Sequence, residues 1–222
     1  MGHRVLIASL VALAGLASRA NAGGRVVGKV TVADANGKPA ASDVIVYVVG
    51  FSEQANTTTA GATITQKGRK FVPDLVAVTV GQSVSFPNGD PFLHNVFSQS
   101  PPRKFDLGSF KKGETKEKKF TNAGVVDVYC NIHPEMAATI LVLPNQRHTR
   151  AAADGSFAID GVPAGHWTVF AYARRATKPV SAAVTITDGQ DVTVNLALVR
   201  GAEPPHVNKY GEKYKEPTTT YK

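Results

Sequence analysis

The sequence predicts an all-β fold of the sandwich or barrel kind. Three observations carry that prediction. Short runs rich in valine and isoleucine recur along the chain. Turn signals separate them at regular intervals, and no window sustains a helical period. Parallel βαβ folds are disfavoured because crossover helices are missing. Composition agrees. Hydrophobic residues make up 43% of the 222, enough to bury a core, and the 19% charged content is low for a disordered chain. Glycine (20) and proline (13) suit a turn-rich β protein and are too few for a collagen-like or low-complexity chain. A single cysteine excludes a disulfide scaffold.

The first 22 residues read as a secretory leader. Met1-Gly2-His3-Arg4 is its positive start, Val5 to Ala17 its apolar stretch, and Ala20-Asn21-Ala22 a small-residue cleavage site. A stretch of 13 residues is too short for a membrane-spanning helix, which needs about 20. The chain is therefore expected to be exported to the periplasm, with no transmembrane segment in its mature form. Arg25–Val32 and Asp43–Gly50 then read as strands flanking the turn at Asn36-Gly37. Ala62–Gln66, Val76–Val80, Ser83–Phe86, Phe92–Ser98, Glu117–Phe120, Val125–Cys130 and Thr139–Leu143 continue the series. After Pro144 come Ser156–Ile159, His166–Ala173, Ala182–Thr187 and Asp191–Val199, with turns at Asp154-Gly155 and Asp188-Gly189. Residues 201–222 carry Pro204-Pro205 and a run of Lys, Glu, Tyr and Thr, and read as a disordered basic tail.

An exported chain meets an oxidising compartment, yet Cys130 has no second cysteine to pair with. Such a thiol is buried and inert, joined to another chain, or occupied. Its neighbours favour occupation. Cys130, His133 and Met136 fall at i, i+3 and i+6 in Tyr129-Cys130-Asn131-Ile132-His133-Pro134-Glu135-Met136. The alternation of Val125–Cys130 puts Val126, Val128 and Cys130 on one face, so a strand delivers the sulfur into the domain. A loop bent at Pro134 can return His133 and Met136 to the same point. Thiolate, imidazole and thioether are soft to borderline ligands, and two His and one Cys with a long axial Met is the blue-copper arrangement. The second histidine must come from elsewhere, and His94, 36 residues upstream among apolar neighbours, is the best candidate. Zinc fits less well, because thioether is not among its usual ligands.

These residues resemble the cupredoxins, the small blue-copper electron carriers. The loop Cys-x-x-His-Pro-x-Met is similar to that of amicyanin, and the upstream F-P-N-x-D-x-x-x-H-N-V pattern also matches the family. The resemblance implies a Greek-key β-sandwich over 62–144, with one copper ion held by His94, Cys130, His133 and Met136. It implies that Asn95 ties the two ligand loops together by hydrogen bonds. It also implies that His133 is the electron port, and that Pro134, Ala137 and Ala138 form an apolar docking ring around it.

The segment 149–165, with Asp154-Gly155-Ser156-Phe157 and Gly161-Val162-Pro163-Ala164-Gly165, resembles the carboxypeptidase-regulatory-like, transthyretin-related sandwich. That module is expected over 145–200. Residues 23–61 either join it, leaving the cupredoxin inserted, or add strands to the cupredoxin in a tandem layout. The whole layout resembles periplasmic proteins of the methylamine-utilisation or plastocyanin-like kind.

Enzyme readings fail on counting. There is no second cysteine for a dinuclear copper centre, no His-x-His pair, no Gly-x-Ser-x-Gly elbow and no phosphate-binding glycine loop. The expectation is an electron carrier rather than an enzyme, with a copper-binding or delivery module as the alternative. The net charge of +8 points to an acidic partner. Seven bases (Arg103, Lys104, Lys111, Lys112, Lys116, Lys118, Lys119) stand against three acids between 103 and 119. They would steer an acidic redox protein or rest on an anionic membrane surface. Nucleic acid is not expected, because no aromatics are interleaved with the bases in a groove pattern.

Overall fold

The structure, a computed structural model, describes residues 23–40, 43–55, 61–101 and 103–214. The expected leader over 1–22 lies outside the described residues, as do residues 215–222 of the expected tail. No helix is present among the described residues, and the strands follow one another in chain order. They begin with β1 (Gly24–Ala33) and β2 (Val44–Val49). A central group follows: β3 (Ala62–Thr63), β4 (Thr65–Gln66), β5 (Phe71–Val72), β6 (Leu75–Thr79) and β7 (Ser83–Pro87). It continues with β8 (His94–Ser98), β9 (Phe105–Phe110), β10 (Thr115–Lys119), β11 (Gly124–Tyr129) and β12 (Ala137–Leu143). The last are β13 (His148–Arg150), β14 (Ser156–Val162), β15 (Gly165–Ala173), β16 (Val180–Ile186) and β17 (Asp191–Val199).

The central strands make a sandwich of the five-stranded sheet β6-β12-β11-β8-β9 and the smaller sheet β10-β7-β3, with β4-β5 at the side. Alternation builds its core. Val126, Val128 and Cys130 point inward from the β11 side to share a core with Ala138, Ile140 and Val142 of β12, Val96 of β8 and Phe110 of β9 in the same sheet, and Phe86 of the facing sheet. A second sandwich pairs the sheets β14-β1-β17 and β13-β2-β15-β16 around Val26, Val46, Val169 and Leu198. β1 runs parallel to β17 from Arg25↔Asp191 to Ala33↔Val199. Strands on either side of the central ten thus hydrogen-bond to one another. The Asn36-Gly37 turn after β1 is held by Asp34 Oδ1, which accepts from the amides of Asn36 (2.8 Å) and Lys38 (2.9 Å).

β12 is buried along its whole length. One face fills the central core. The other, Leu141 and Leu143, meets Leu75 of β6 and Ile45 of β2 in a separate apolar cluster between the sandwiches. Each such side chain contributes about 1.5–3 kcal/mol on burial.

Three strands were not foreseen: β5, β9 and β13. Two are only two or three residues long. In β9 the alternation is broken at Gly108, which sits at φ 68°, and the pairing with β8 slips between Asn95 and Phe97. The disordered tail requires correction for its first part. Residues 203–214 lie against the molecule, anchored by Glu203 to Arg174 and Arg175 and by Tyr214 Oη, which donates to the Cys130 carbonyl at 2.9 Å. Specific polar and aromatic contacts hold this segment, and hydrophobic periodicity does not reveal contacts of that kind.

Candidate metal centre

The centre lies at one end of the central sandwich, where two strand ends and one loop meet. His94 opens β8. Cys130 directly follows β11, and Met136 directly precedes β12. The intervening loop is folded back on itself. The Cys130 amide donates to the Met136 carbonyl at 3.2 Å, and the Met136 amide to the His133 carbonyl at 3.0 Å. This closure brings His133 over the cysteine. His94 Nδ1 and His133 Nδ1 are 3.0 Å apart. Cys130 Sγ is 4.0 Å from the first and 3.8 Å from the second. His94, Cys130 and Met136 are fully buried, whereas His133 is half-buried.

The surroundings prepare each donor. His94 Nε2 donates to Asp90 Oδ2 at 2.8 Å, which leaves the Nδ1 lone pair aimed at the cluster. Asp90 is itself held by the amides of Gly68 (2.7 Å) and Arg69 (3.0 Å), while its own amide donates to Asn88 Oδ1 at 2.9 Å. Burial pushes the Asp90 carboxyl up. The hydrogen bonds from Arg69, His94 and Gly68 outweigh it and bring the carboxyl down to about 2. The group stays ionised and keeps accepting from His94. His133 is lowered by burial and then by the neighbouring His94, which favours the neutral imidazole that a metal needs. The Cys130 sulfur accepts from the amides of Asn95 (3.5 Å) and Ile132 (3.4 Å), which fix its position.

Asn95 reaches both ligand segments. Its Nδ2 donates to Asp106 Oδ1 at 2.7 Å, and its Oδ1 accepts from the Asn131 amide at 3.3 Å. The surface around His133 mixes exposed apolar side chains with the charges of Glu135 and of Arg69, whose guanidinium lies over the Phe92 ring. Phe92, Leu93 and Ile132 are 38%, 52% and 44% exposed, Pro134 is exposed, and the Phe92 ring centre is 5.5 Å from that of His133. The docking ring expected from Ala137 and Ala138 needs correction. Both are buried in β12, paired with Tyr129 and Val128 of β11, and neither can touch a partner. The exposed apolar residues of the neighbouring loops are Phe92, Leu93, Ile132 and Pro134. Among the described residues, the other histidines stand apart from the donors. His166 Nδ1 bonds Thr185 Oγ1 at 3.0 Å, His148 lies on β13, and His206 stacks on Tyr129.

Of the seven bases, three are engaged. Arg103 donates to the carbonyls of Pro101, Asn122 and Ala123. Lys116 Nζ donates to the Leu107 carbonyl at 2.6 Å, and Lys118 lies over the Phe105 ring. Lys104, Lys111, Lys112 and Lys119 are exposed.

The donor spacing suits a metal ion. Bonds of about 2.0–2.3 Å to nitrogen and sulfur place trigonal donors about 3.5–4 Å apart. The separations of 3.0, 3.8 and 4.0 Å fall around that span. Two imidazoles and a thiolate, with a buried methionine closing the same loop, fit copper.

An all-β sandwich with this donor set at its end defines a cupredoxin domain. No family model matches the chain. The plastocyanins of Ulva arasakii and Ulva pertusa are each 32% identical over 72 residues, spanning 28% of this chain and 74% of theirs. By that similarity the chain belongs to the plastocyanin family. Among solved structures, a purple cupredoxin from Nitrosopumilus maritimus aligns at TM-score 0.34 and 23% identity, covering 37% of this chain and 99% of that one. A Cu(I) amicyanin mutant aligns at 0.36 and 21%, covering 44% and 98%. A copper-containing nitrite reductase from Thermus scotoductus aligns at 0.37 and 26%, covering 43% of this chain and 25% of that one.

Proposed function

We propose that this protein is an exported type 1 copper protein that shuttles single electrons between redox partners, with His94, Cys130, His133 and Met136 as the ligands. The observation that carries the reading is the cluster of two imidazole nitrogens and a buried sulfur within 4.0 Å, one of whose histidines reaches the surface. A copper ion held there supplies a one-electron couple. The chain's own part is to keep the donors still. Asp90 fixes His94, Asn95 and the loop closure fix Cys130 and His133, and apolar side chains exclude water. Little then moves when the charge at the centre changes.

His133 is the electron port in this reading, and Phe92, Leu93, Ile132 and Pro134 form the contact ring. A small apolar ring suits a brief encounter, since transient redox complexes bury little area. Lys104, Lys111, Lys112 and Lys119 would steer an acidic partner. The cupredoxin, 62–144, sits as an insertion in a second sandwich made from 23–61 and 145–200, which serves as spacer or docking body. We read the protein as a carrier rather than an enzyme, because the chain has no His-x-His pair for a further copper cluster.

The test is the visible spectrum after one equivalent of Cu(II). Wild type should give an intense blue band, and Cys130→Ser should lose it. A colourless wild type of intact fold overturns the reading. His133→Ala should bind copper, recover with added imidazole and exchange electrons more slowly.

A further inference from the structure

The C-terminal segment does more than lie on the sandwich. It closes a ring of hydrogen bonds with residues beside two of the proposed ligands. Lys209 Nζ donates to Asp106 Oδ2 at 2.8 Å. Asp106 Oδ1 accepts from Asn95 Nδ2 at 2.7 Å. Asn95 Oδ1 accepts from the Asn131 amide at 3.3 Å. Asn131 Oδ1 accepts from the Lys209 amide at 3.0 Å, which returns the circuit to its start. Asn95 follows His94 and Asn131 follows Cys130, so both ligand segments belong to the ring. Gln99 Nε2 fixes the same residue from another side, donating to the Lys209 carbonyl at 2.7 Å.

A second set of contacts grips the residues just before. Tyr214 Oη donates to the carbonyl of Cys130 itself at 2.9 Å. The His206 ring stacks on Tyr129 at 4.2 Å between centres and 13° between planes, and Tyr214 meets His206 edge-on at 5.4 Å. Tyr129, Cys130 and Asn131 are therefore each held by a residue from 206–214. Strand pairing stops at Tyr129, which is paired with Ala137 and Phe97, so Asn131 lies beyond the ladder.

We propose that residues 206–214 act as a clamp, with Lys209 and Tyr214 as positioning residues that set the place of the Cys130 sulfur and of the loop carrying His133. The clamp deepens the copper-site reading and rests on it for its effect on the metal, but not for the contacts. Each hydrogen bond shifts a local opening equilibrium by about two- to tenfold.

The experiment uses the full chain with Lys209→Met and Tyr214→Phe, singly and together, since both keep the bulk of the side chain. In metal-free protein, amide exchange over 131–136 should quicken about tenfold in the double variant, while β16 and β17 keep wild-type rates. In Cu(II)-loaded protein the thiolate band should shift in position or intensity, a change that loss of fold stability alone does not produce. Unchanged loop exchange overturns the clamp. So does faster exchange with an unshifted band. If wild type itself shows no such band, the copper reading fails separately, and exchange in the metal-free protein decides the clamp.

Discussion

Asp90 decides which nitrogen of His94 faces the other donors. Its carboxylate accepts the hydrogen bond from Nε2–H, so Nδ1 is presented without rearrangement. Removing such a partner costs about 10–100-fold in metal affinity. Asp90→Ala should weaken copper binding by that factor in a chelator competition, with the fold intact by circular dichroism. Asp106 gives a pH test. Burial pushes its carboxyl up, but the bonds from Lys209, Asn95 and Gly108 prevail and hold it below 3.8. A carboxyl depressed on folding stabilises above its unfolded value and loses that contribution as pH falls through the folded one. Denaturant titrations should show wild type ahead of Asp106→Asn at neutral pH, with the gap closing as pH drops below about 3.8. The proposed donors Cys130, His133 and Met136 stand out in the sequence because their chemistry is carried by spacing. The role of Asp90 was not, although the residue lies inside the upstream motif, because its bond to His94 depends on the turn at Asn88–Pro91. Ala137 and Ala138 were misplaced for a related reason. The loop tightens so abruptly after Glu135 that β12 starts at once and buries them.

At the scale of elements, the hairpin β11–loop–β12 carries three of the four proposed ligands, and its alternation sets which residues matter. Ile140 is fully buried, whereas Val125 is 41% exposed. Ile140→Ala should cost about 2–5 kcal/mol in thermal or denaturant unfolding. Val125→Thr should stay within about 0.5 kcal/mol. Equal effects would mean that the faces are assigned wrongly. Most strands were readable from valine-rich runs between turn residues. β9 was not, because Gly108 and the slipped pairing beside Asn95 hide its period. That irregular stretch supplies Asp106, so the least regular strand contributes a member of the hydrogen-bond ring.

For the molecule as a whole, charge and connectivity matter most. If the exposed lysines steer an acidic redox partner, the association rate should fall steeply as ionic strength rises past the point where the Debye length is about 10 Å. A rate indifferent to salt would remove electrostatics from the encounter. The two sandwiches also share more than a linker. Ile45 of one meets Leu75, Leu141 and Leu143 of the other, and all four are buried. An electrochemist wishing to work with a trimmed version, residues 62–144 alone, would thereby uncover an oily stripe along β6 and β12. Such a fragment should stick to itself on a sizing column, and polar replacements at Leu141 and Leu143 would be the first repair to try.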